Sequence, residues 1–476
     1  MKPWEMDEIR RATKAKWLAR GSAAVPFNGH VCTDSRKAAV GDLFVAIKGA
    51  RFDAHDYVRQ VIEAGVAGVI VHTEPAAEIV ALAQQKSVAI LLVDETVAAL
   101  NRLAAAYRAE LRAKVIAVGG SNGKTTTKRI IHTLLSQKLS GHSSPKSYNN
   151  NIGMPLTLLE VEANHEFVVL EIGTNAPGEI AALGEVARPD IAVITNIGLE
   201  HLEKLGDLEG VAREEASIAP FVREDGTLVL PTEAPELMKS LRLTKAQRIT
   251  VGRPGTEADL AATDVVENID GTRFTLNGRA TFALPLLGGH NALNALLAIA
   301  VARRLGLSDE QIQAGLLEVK PAPMRLEPVR IGGHFVINDA YNANPSSMAA
   351  AIGLFGRLSL PVETRRRVAI LGDMLELGEA GDIMHREVGA RVAAGKIDLL
   401  VAVGKAMQHA ADTALQAGVE VQRFGSTAHA CQHIHEIIVP GDALLLKGSR
   451  GMAMETILES LSKRIVMAQA PLFQAT

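Results

Sequence analysis

The sequence has few cysteines, few aromatic residues and no excess of either charge. Only 2 of its 476 residues are cysteine, and Cys32 and Cys431 stand near opposite ends of the chain. This spacing excludes a disulfide framework and a metal site built from paired cysteines. We therefore expect a reduced protein of the cytoplasm.

The charges nearly cancel, since 50 lysines and arginines face 53 acidic residues and leave a formal net charge of -3. A nucleic-acid or membrane-surface binder would carry a basic excess, so we expect no nucleic-acid partner. The chain also has no run of about 18 apolar residues and no apolar signal-peptide core near its amino terminus. Neither export nor membrane insertion is expected.

Length and patterning predict an α/β protein of several domains. With 47% hydrophobic and 22% charged residues the composition is globular, and about 100–200 residues per domain gives three domains as the central expectation. Short apolar runs alternate with helical patterns, which favours α/β layers. We place the domains at residues 1–110, 111–320 and 321–476, and expect a monomer. Only residues 255–285, with turns at Asp270-Gly271 and Asn277-Gly278, read as an antiparallel insertion.

A glycine-rich loop lies between a predicted strand and a predicted helix in GGSNGKTTTK (119–128). Its glycines allow backbone N–H groups to wrap phosphate oxygens, Lys124 reaches the β and γ phosphates, and the Thr125 hydroxyl binds Mg²⁺. The loop has the short G-x-x-G-K-T form, because Val118 stands where a strict Walker A motif needs glycine. It predicts a nucleotide-binding protein and leaves ATP, GTP and the reaction open.

Two polar residues follow apolar strands in the same region. Glu171 ends the run FVVLEIG, and His201 lies just past IAVITNIG. Both should project at the carboxyl edge of a parallel sheet, where the phosphate loop also lies and where ligands bind in open α/β folds. A carboxylate there suits a magnesium ion that bridges nucleotide phosphates. Taken singly, each residue is better explained as a strand-end cap or loop residue; their shared edge favours a site.

These motifs resemble the Mur ligases, ATP-dependent amide-forming enzymes of peptidoglycan synthesis, over the whole chain. The similar segments are TDSRKAAVGDLFVAIKGARFDAHDYV (33–58), the phosphate loop, SYNNNIGMPLTLL (147–159), EIGTNAPGEI (171–180), ITNIGLEHLEKLG (194–206), GGHNALNALLAIA (288–300), APMRLE (322–327), INDAYNANPSSM (337–348), LGDMLELGE (371–379) and LLLKGSRGMAME (444–455). The resemblance implies a three-domain architecture with a central P-loop sheet and a C-terminal Rossmann-like domain. In the last domain, the segments INDAYNANPSSM and LGDMLELGE look like the member that adds D-alanyl-D-alanine.

The resemblance also assigns roles to residues. The residues that match ATP-contacting positions of the family are Gly119, Gly120, Ser121, Asn122, Gly123, Lys124, Thr125, Asn294, Arg325 and Asp339. Those matching substrate positions are Ser35, Arg36, Asn149, Asn150, Thr174, Asn342 and Asn344. The catalytic and metal positions are Lys124, Thr125, Glu171, His201 and Glu215.

One of these positions departs from the family. Its members usually carry a lysine, modified by CO₂ to a carbamate that contacts a second metal, where this chain has Glu215. Glutamate supplies an anionic oxygen without modification, so we interpret Glu215 as a direct replacement. The alternative is that Glu214 and Glu215 are a solvated pair of helix charges.

The implied reaction uses ATP and Mg²⁺ to join D-alanyl-D-alanine to UDP-N-acetylmuramoyl-tripeptide through an acyl phosphate. Two other functions remain open from the sequence. One is a different ligase of the same fold, such as a folylpolyglutamate synthetase, for which the segment TDSR has no evident role. The other is a nucleotide-dependent switch protein, which would not need Arg325 and Asp339 to converge on ATP.

Overall fold

The computed structural model describes residues 4–21, 27, 29–241 and 244–469, and it contains three β-sheets, each flanked by helices. The predicted α/β class and three-domain architecture are confirmed. Within the described residues, no helix has the length and apolar character needed to cross a membrane.

The first sheet has five strands in the order β1-β5-β4-β3-β2, parallel except for β1 against β5. The elements of this part are α1 (Met6–Thr13), β1 (Lys16–Arg20), β2 (Val31–Cys32), β3 (Leu43–Val45), α2 (Val58–Glu63), β4 (Gly68–Val71), α3 (Ala77–Gln85), β5 (Ala89–Leu92) and α4 (Thr96–Glu110).

The second sheet has nine strands in the order β14-β13-β12-β11-β10-β9-β6-β8-β7. Its elements are β6 (Lys114–Gly119), α5 (Lys124–Leu135), β7 (Gly141–Ser143), α6 (Gly153–Leu159), β8 (Phe167–Glu171), α7 (Glu179–Ala187), β9 (Ile191–Ile194), α8 (Leu202–Leu205), α9 (Leu208–Ala216), β10 (Thr227–Pro231), α10 (Pro235–Ser240), β11 (Gln247–Gly252), β12 (Leu260–Asn268), β13 (Gly271–Leu276), β14 (Ala280–Leu284), α11 (His290–Arg304) and α12 (Asp309–Glu318).

The predicted antiparallel segment is the end of this second sheet. Strands β12, β13 and β14 pair antiparallel, while β12 also pairs parallel with β11 and so continues the sheet. The β13–β14 turn places both Asn277 and Gly278 at positive φ, 50° and 66°, which is the backbone of a two-residue hairpin of the type that Asn-Gly favours.

The third sheet has six strands in the order β15-β16-β20-β17-β18-β19, parallel except for β15 against β16. Its elements are β15 (Glu327–Ile331), β16 (His334–Asp339), α13 (Pro345–Arg357), β17 (Arg366–Gly372), α14 (Gly381–Ala394), β18 (Leu399–Val403), α15 (Met407–Gln416), β19 (Glu420–Phe424), α16 (Thr427–Ile437), β20 (Asp442–Lys447) and α17 (Glu455–Gln469).

Strand register determines where the polar residues emerge. In the second sheet Val118 lies opposite Glu171, and Gly119 lies opposite Ile194, so the loops after β6, β8 and β9 leave the sheet at one edge. In the third sheet Asp339 lies opposite Lys447 at the carboxyl ends of β16 and β20. Strands β6, β8, β9 and β20 are mostly apolar and, apart from Lys114, buried, as expected for parallel sheets covered on both faces. Loops from both edges line one cleft.

Candidate active site between the second and third sheets

The phosphate loop joins β6 to α5 and depends on two glycines in left-handed backbone. Gly120 has φ 108° and Gly123 has φ 82°. A Cβ on Gly120 would lie 2.3 Å from Thr195 Oγ1, and one on Gly123 would lie 2.7 Å from Asn294 Oδ1. Since both the backbone angle and the space exclude a side chain, these positions require glycine. The predicted nucleotide residue Asn294 therefore lies directly against the loop.

Lys124 is the first residue of α5 and folds back over the loop. Its Nζ donates hydrogen bonds to the backbone oxygens of Gly120 and Ser121, the latter at 3.1 Å. The ammonium group thus lies within the curve of the loop, where phosphate oxygens would compete with these two carbonyls. The arrangement agrees with the cation role predicted from the motif.

A buried polar cluster surrounds Glu171 beside this loop. Thr125 Oγ1 donates to Glu171 Oε2 over 2.9 Å, and Lys128 Nζ lies 3.0 Å from the same oxygen. Asn149 Nδ2 donates to the other carboxylate oxygen over 3.3 Å. A threonine hydroxyl next to a carboxylate is a donor set that suits a hard cation such as Mg²⁺. The predicted metal ligands Thr125 and Glu171 are therefore brought together.

Lys128 was not singled out in the sequence, although it lies one turn beyond Lys124 in GKTTTK. Its side chain is almost fully buried, and Nζ also donates to the backbone oxygens of Ser144, over 2.8 Å, and Lys146. Burial lowers the pKa of Lys128, and the adjacent Glu171 carboxylate opposes that change. Lys128 neutralises Glu171 and fixes its orientation. In the sequence, the four-residue spacing of Lys124 and Lys128 indicates that both lie on one face of the helix.

Glu215 lies under the phosphate loop and is completely enclosed. Gly120 N–H donates to its Oε2 over 2.7 Å, while Oε1 has no hydrogen-bond partner among the described residues. Burial raises the pKa of this carboxyl to about 8, and Lys124 acts in the opposite direction. Glu214 is buried as well. The alternative of a solvated pair of helix charges is wrong, because both side chains face inward from α9.

Glu200 is a further acidic group of the cleft that the sequence did not reveal. It is buried, and burial raises the pKa of its carboxyl while Lys124 and His201 lower it. In the sequence, the position of Glu200 beside His201 in LEHLE points to this role. Two carboxyls, Glu200 and Glu215, thus lie within electrostatic range of Lys124.

His201 contacts the third part of the chain. Its Nδ1 lies 2.6 Å from Glu376 Oε2, and its Nε2 lies 3.9 Å from Glu200 Oε2. Both His201 and Glu376 have positive φ, 50° and 63°. Such backbone in bulky residues is uncommon and tends to occur at functional sites. Within the described parts of the chain, no three His, Cys, Asp or Glu side chains group as a metal would need.

The third part contributes Arg325 and Asp339 to the lining of the cleft. The Arg325 guanidinium lies 4.1 Å from the centre of the Tyr341 ring and donates to Ser147 Oγ over 3.5 Å. Ser147 Oγ in turn lies 3.3 Å from Thr125 Oγ1. Arg325 therefore reaches the side chains that surround the phosphate loop.

Asp339 is held by a buried lysine that the sequence did not single out. Lys447 Nζ lies 2.6 Å from Asp339 Oδ2 and donates to the backbone oxygen of Asn342 over 2.9 Å. Leu326 N–H donates to Asp339 Oδ1 over 3.0 Å. Because Asp339 and Lys447 are opposite one another in β16 and β20, strand register sets this pair.

The phosphate loop also contacts the start of α13 directly. Asn344 Nδ2 donates to Asn122 Oδ1 over 2.9 Å, and Asn122 Nδ2 donates to Ser346 Oγ over 3.0 Å. Asn344 additionally caps α13, accepting from Ser347 N–H. These bonds join the second and third parts across a cleft of about 450 Å³.

Two predicted substrate residues have local structural roles at the cleft. Asn150 Oδ1 accepts from Gly153 N–H, at the first residue of α6, over 2.9 Å. Thr174 Oγ1 donates to the backbone oxygen of Ala176 over 2.8 Å. Both still line the cleft, as do Asn149, Asn342 and Asn344.

Ser35 and Arg36 lie in the first part and are not among the residues that line this cleft. Arg36 Nη2 lies 2.8 Å from Asp34 Oδ2, and its side chain is 84% exposed. The hydrogen bonds from Arg36 lower the pKa of the Asp34 carboxyl to about 2. The structure thus separates the predicted uridine-nucleotide residues from the phosphate loop.

Comparison with protein families gives three consecutive matches along the chain. Residues 29–108 match the Mur ligase family catalytic domain, residues 118–302 the Mur ligase middle domain, and residues 324–450 the Mur ligase glutamate ligase domain.

Named relatives extend over nearly the full length. UDP-N-acetylmuramoyl-tripeptide–D-alanyl-D-alanine ligase of Bacillus subtilis is 40% identical over 439 residues, covering 90% of this chain and 92% of the relative. The Escherichia coli enzyme of the same name is 34% identical over 440 residues, covering 91% and 93%.

Solved structures agree with these matches. The crystal structure of MurF from Acinetobacter baumannii aligns with a TM-score of 0.86 at 32% identity and covers 97% of this chain and 99% of its own. MurF ligase from Thermotoga maritima in complex with ADP aligns at 0.79 with 27% identity, covering 93% and 99%. FolC of Escherichia coli aligns at 0.56 with 21% identity over 78% of this chain and 92% of its own, a likeness of fold alone.

Proposed function

The chain belongs to the Mur ligase family, and we propose that it is the ATP-dependent ligase that adds D-alanyl-D-alanine to UDP-N-acetylmuramoyl-tripeptide in peptidoglycan synthesis. One observation in the structure carries the proposal. The arginine of the third part, Arg325, reaches through Ser147 to Thr125 beside the phosphate loop. A nucleotide and a second substrate from the opposite wall can therefore meet in one cleft.

The reaction has two bond-forming steps. A carboxylate oxygen of the tripeptide attacks the γ-phosphorus of ATP, the bond to the β,γ-bridging oxygen breaks, and ADP leaves. The amine of the dipeptide then attacks the acyl carbon, loses a proton, and expels phosphate from a tetrahedral intermediate. Positioning and charge neutralisation provide most of the acceleration in such phosphoryl transfers.

The nucleotide is assigned to the loop and its neighbours. Loop residues 119–125 would surround the phosphates with backbone N–H groups, and Lys124 would exchange its carbonyl acceptors for phosphate oxygens. Asn294 is assigned to the adenine end, and Arg325 and Asp339 to the nucleotide from the third part. The hydrogen bond of Arg325 to Ser147, which lies beside Thr125, supports the assignment of Arg325.

Magnesium is assigned to Thr125 and Glu171, whose oxygens lie 2.9 Å apart. When bound, it would neutralise the phosphate charge and polarise the γ-phosphoryl group. His201 and Glu215 are assigned to a second cation. Support for Glu215 comes from its unpartnered Oε1 beneath the loop, since a buried carboxylate oxygen without a partner is costly unless a ligand satisfies it.

The remaining assignments divide the chain by substrate. Residues 1–110 would bind the uridine diphosphate end through Ser35 and Arg36, and residues 111–320 the ATP. Residues 321–476 would close over both and bind the dipeptide, and the closed cleft would protect the acyl phosphate from water. The substrate amides are assigned to Asn149, Asn150, Thr174, Asn342 and Asn344. Because ATP and the uridine-linked precursor are made in the cytoplasm, we place the reaction there.

The test is a reaction with the purified chain, ATP, Mg²⁺ and UDP-N-acetylmuramoyl-tripeptide, with and without D-alanyl-D-alanine. We expect the pentapeptide product by mass spectrometry and stoichiometric ADP only when both substrates are present. A Lys124→Ala variant serves as the inactive control. If the complete mixture yields no pentapeptide, the proposal is wrong.

The same assay addresses the two alternatives. A folylpolyglutamate synthetase would elongate a folate with glutamate and ignore the uridine nucleotide. A nucleotide switch would hydrolyse ATP at a rate independent of the tripeptide and dipeptide. Neither alternative is favoured by a specific contact in the cleft.

A further inference from the structure

Among the described residues of the third part, three cationic side chains line the cleft, and two of them are already engaged. Lys447 is almost fully buried and bound to Asp339 and the Asn342 carbonyl. Arg325 stacks on Tyr341 and points to Ser147, beside the phosphate loop. The remaining cation is Arg450, which follows β20 in the segment LLLKGSRGM.

Arg450 is positioned by two contacts that leave part of its guanidinium available. Its backbone N–H donates to Asn342 Oδ1 over 3.3 Å, which holds the segment against the loop after β16. Its Nη1 lies 2.7 Å from Glu455 Oε1 and 3.9 Å from Met324 Sδ. Across the part of the chain that the structure describes, Nε and Nη2 have no hydrogen-bond partner, and 55% of the side chain is exposed.

This geometry leaves the edge of the guanidinium that carries Nε and Nη2 available to a ligand. Nε and Nη2 donate in parallel and match the two oxygens of a carboxylate, which makes arginine the preferred residue for bidentate carboxylate recognition. Glu455 accepts a hydrogen bond from Nη1, the third nitrogen of the guanidinium, and so limits rotation of the Arg450 side chain. A lysine ammonium at this position would supply the positive charge but not the two parallel N–H donors.

Small side chains from the third part of the chain also line the cleft. Ala343, Ala350 and Ala351 belong to the loop and helix that follow β16, and all three line the cleft. They leave space for a ligand that carries methyl groups. A wall with methyl-sized side chains and one available guanidinium edge suits a short peptide that ends in a free carboxylate.

We propose that Arg450 binds the terminal carboxylate of the incoming dipeptide and thereby selects for a free carboxyl end. This inference rests on the proposed function, which supplies the dipeptide as substrate. It adds a specificity residue, since Arg450 would orient the amine toward the acyl phosphate without taking part in bond making.

The experiment compares D-alanyl-D-alanine with its C-terminal amide, which keeps the attacking amine and removes the carboxylate charge. We expect wild-type protein to show a KM about 10- to 100-fold higher for the amide, as the loss of a charge-assisted bidentate pair implies. Arg450→Ala should raise the KM for the dipeptide by a similar factor and leave the KM for the amide unchanged. Arg450→Lys should recover only part of the difference.

Controls make the outcomes distinct. Arg330→Ala removes an arginine of the third part that is 58% exposed and paired with Glu363, and it should behave as wild type. Turnover of the amide by Arg450→Ala shows that this variant is folded. Equal KM values of wild type for dipeptide and amide, or an unchanged dipeptide KM in Arg450→Ala, would overturn the inference while pentapeptide formation still supports the proposed function. If wild type joins neither compound, the proposed function itself fails and the inference with it.

Discussion

At the scale of single residues, Glu215 is where this chain departs from the family pattern described above. Its carboxylate accepts the Gly120 N–H and keeps one oxygen without a partner beneath the phosphate loop. A glutamate supplies its carboxyl oxygens without CO₂. We therefore predict that wild-type activity is unchanged when CO₂ and bicarbonate are removed from the assay, whereas Glu215→Gln loses most of its turnover.

The matched control for this prediction is Glu209→Gln, which removes an exposed carboxylate from the same helix. It should retain activity with and without bicarbonate. A strong dependence of the wild type on bicarbonate, or full activity of Glu215→Gln, would show that Glu215 does not replace a modified lysine.

His132 provides a prediction about pH. It lies on α5, where its ring meets the Phe167 ring edge to face at 5.6 Å. Burial lowers the pKa of His132, and His142, Lys128 and Arg129 lower it further, while a hydrogen bond with the Gly141 backbone acts in the opposite direction. Below about pH 6.5 the unfolded chain gains a proton that the folded chain does not, so folding stability falls as pH falls.

Replacing His132 should therefore make the unfolding free energy less sensitive to acid. We expect the unfolding free energy of His132→Gln to change less between about pH 7 and pH 5.5 than that of wild type, by at most about 1.4 kcal/mol per pH unit. Urea unfolding at several pH values measures this difference. A steeper loss of stability in the variant would contradict the assigned direction of the pKa.

Part of the site could be predicted from residues alone. Lys124 and Thr125 follow from a local motif, and Glu171 from its position at the end of an apolar strand. The partners of these residues could not be predicted in the same way. Asn122 and Asn344 are separated by 222 positions, and only the folded chain shows that their side chains meet.

At the scale of elements, Glu214 joins α9 to the start of α7. Its two carboxylate oxygens accept from Gly178 N–H over 2.7 Å and Ile180 N–H over 2.9 Å, and Thr174 Oγ1 lies 3.3 Å away. It therefore satisfies N–H groups at a helix start, where a negative charge is also favourable. This capping residue comes from another helix, which explains why local sequence did not identify it.

Removing this cap should loosen α7 and the loop that carries Thr174. We predict that Glu214→Ala lowers the unfolding free energy by about 2–4 kcal/mol, because buried N–H groups lose a charged acceptor. Amide hydrogen exchange should accelerate at residues 178–187. Glu209→Ala, on the same helix but exposed, should leave both unchanged; equal behaviour of the two variants would contradict the role of Glu214.

The elements themselves were predictable where the pattern was strong. Strand and helix alternation indicated parallel sheets, and Asn277-Gly278 indicated a tight hairpin, which the structure confirms. The continuation of the second sheet through β12 was not predicted. The turn residues indicate the antiparallel hairpins, but they do not reveal that β12 also pairs with β11.

At the scale of the whole molecule, a buried ion pair joins α4 to the central sheet. Arg108 Nη2 lies 2.8 Å from Asp190 Oδ2, and Arg108 also donates to the backbone oxygens of Ala187 and Arg188. Burial lowers the pKa of the Arg108 guanidinium, which Asp190 opposes. The pair is thus a desolvated contact between α4, at the end of the first part, and the residue that precedes β9 in the second.

Breaking this pair should cost more than breaking an exposed one. We predict that Asp190→Asn lowers the unfolding free energy by about 3–5 kcal/mol, since Arg108 is left buried without a carboxylate. Arg108→Met should lower it less, because Lys114 Nζ still lies 3.3 Å from Asp190 Oδ1, and the double variant should lose less than the sum. The exposed pair Arg303 and Asp309, 2.8 Å apart, should contribute about 1 kcal/mol or less. Additive losses at Arg108 and Asp190 would contradict the coupling.

The cleft joins the second and third parts, and we propose that it activates a carboxylate through ATP before the amine attacks. The most direct measurement uses UDP-N-acetylmuramoyl-tripeptide whose terminal carboxylate carries heavy oxygen, followed by mass analysis of the released phosphate. If an acyl phosphate forms, one labelled oxygen moves from the carboxylate to each phosphate as the amide bond forms. Phosphate without label, alongside pentapeptide product, would contradict the mechanism.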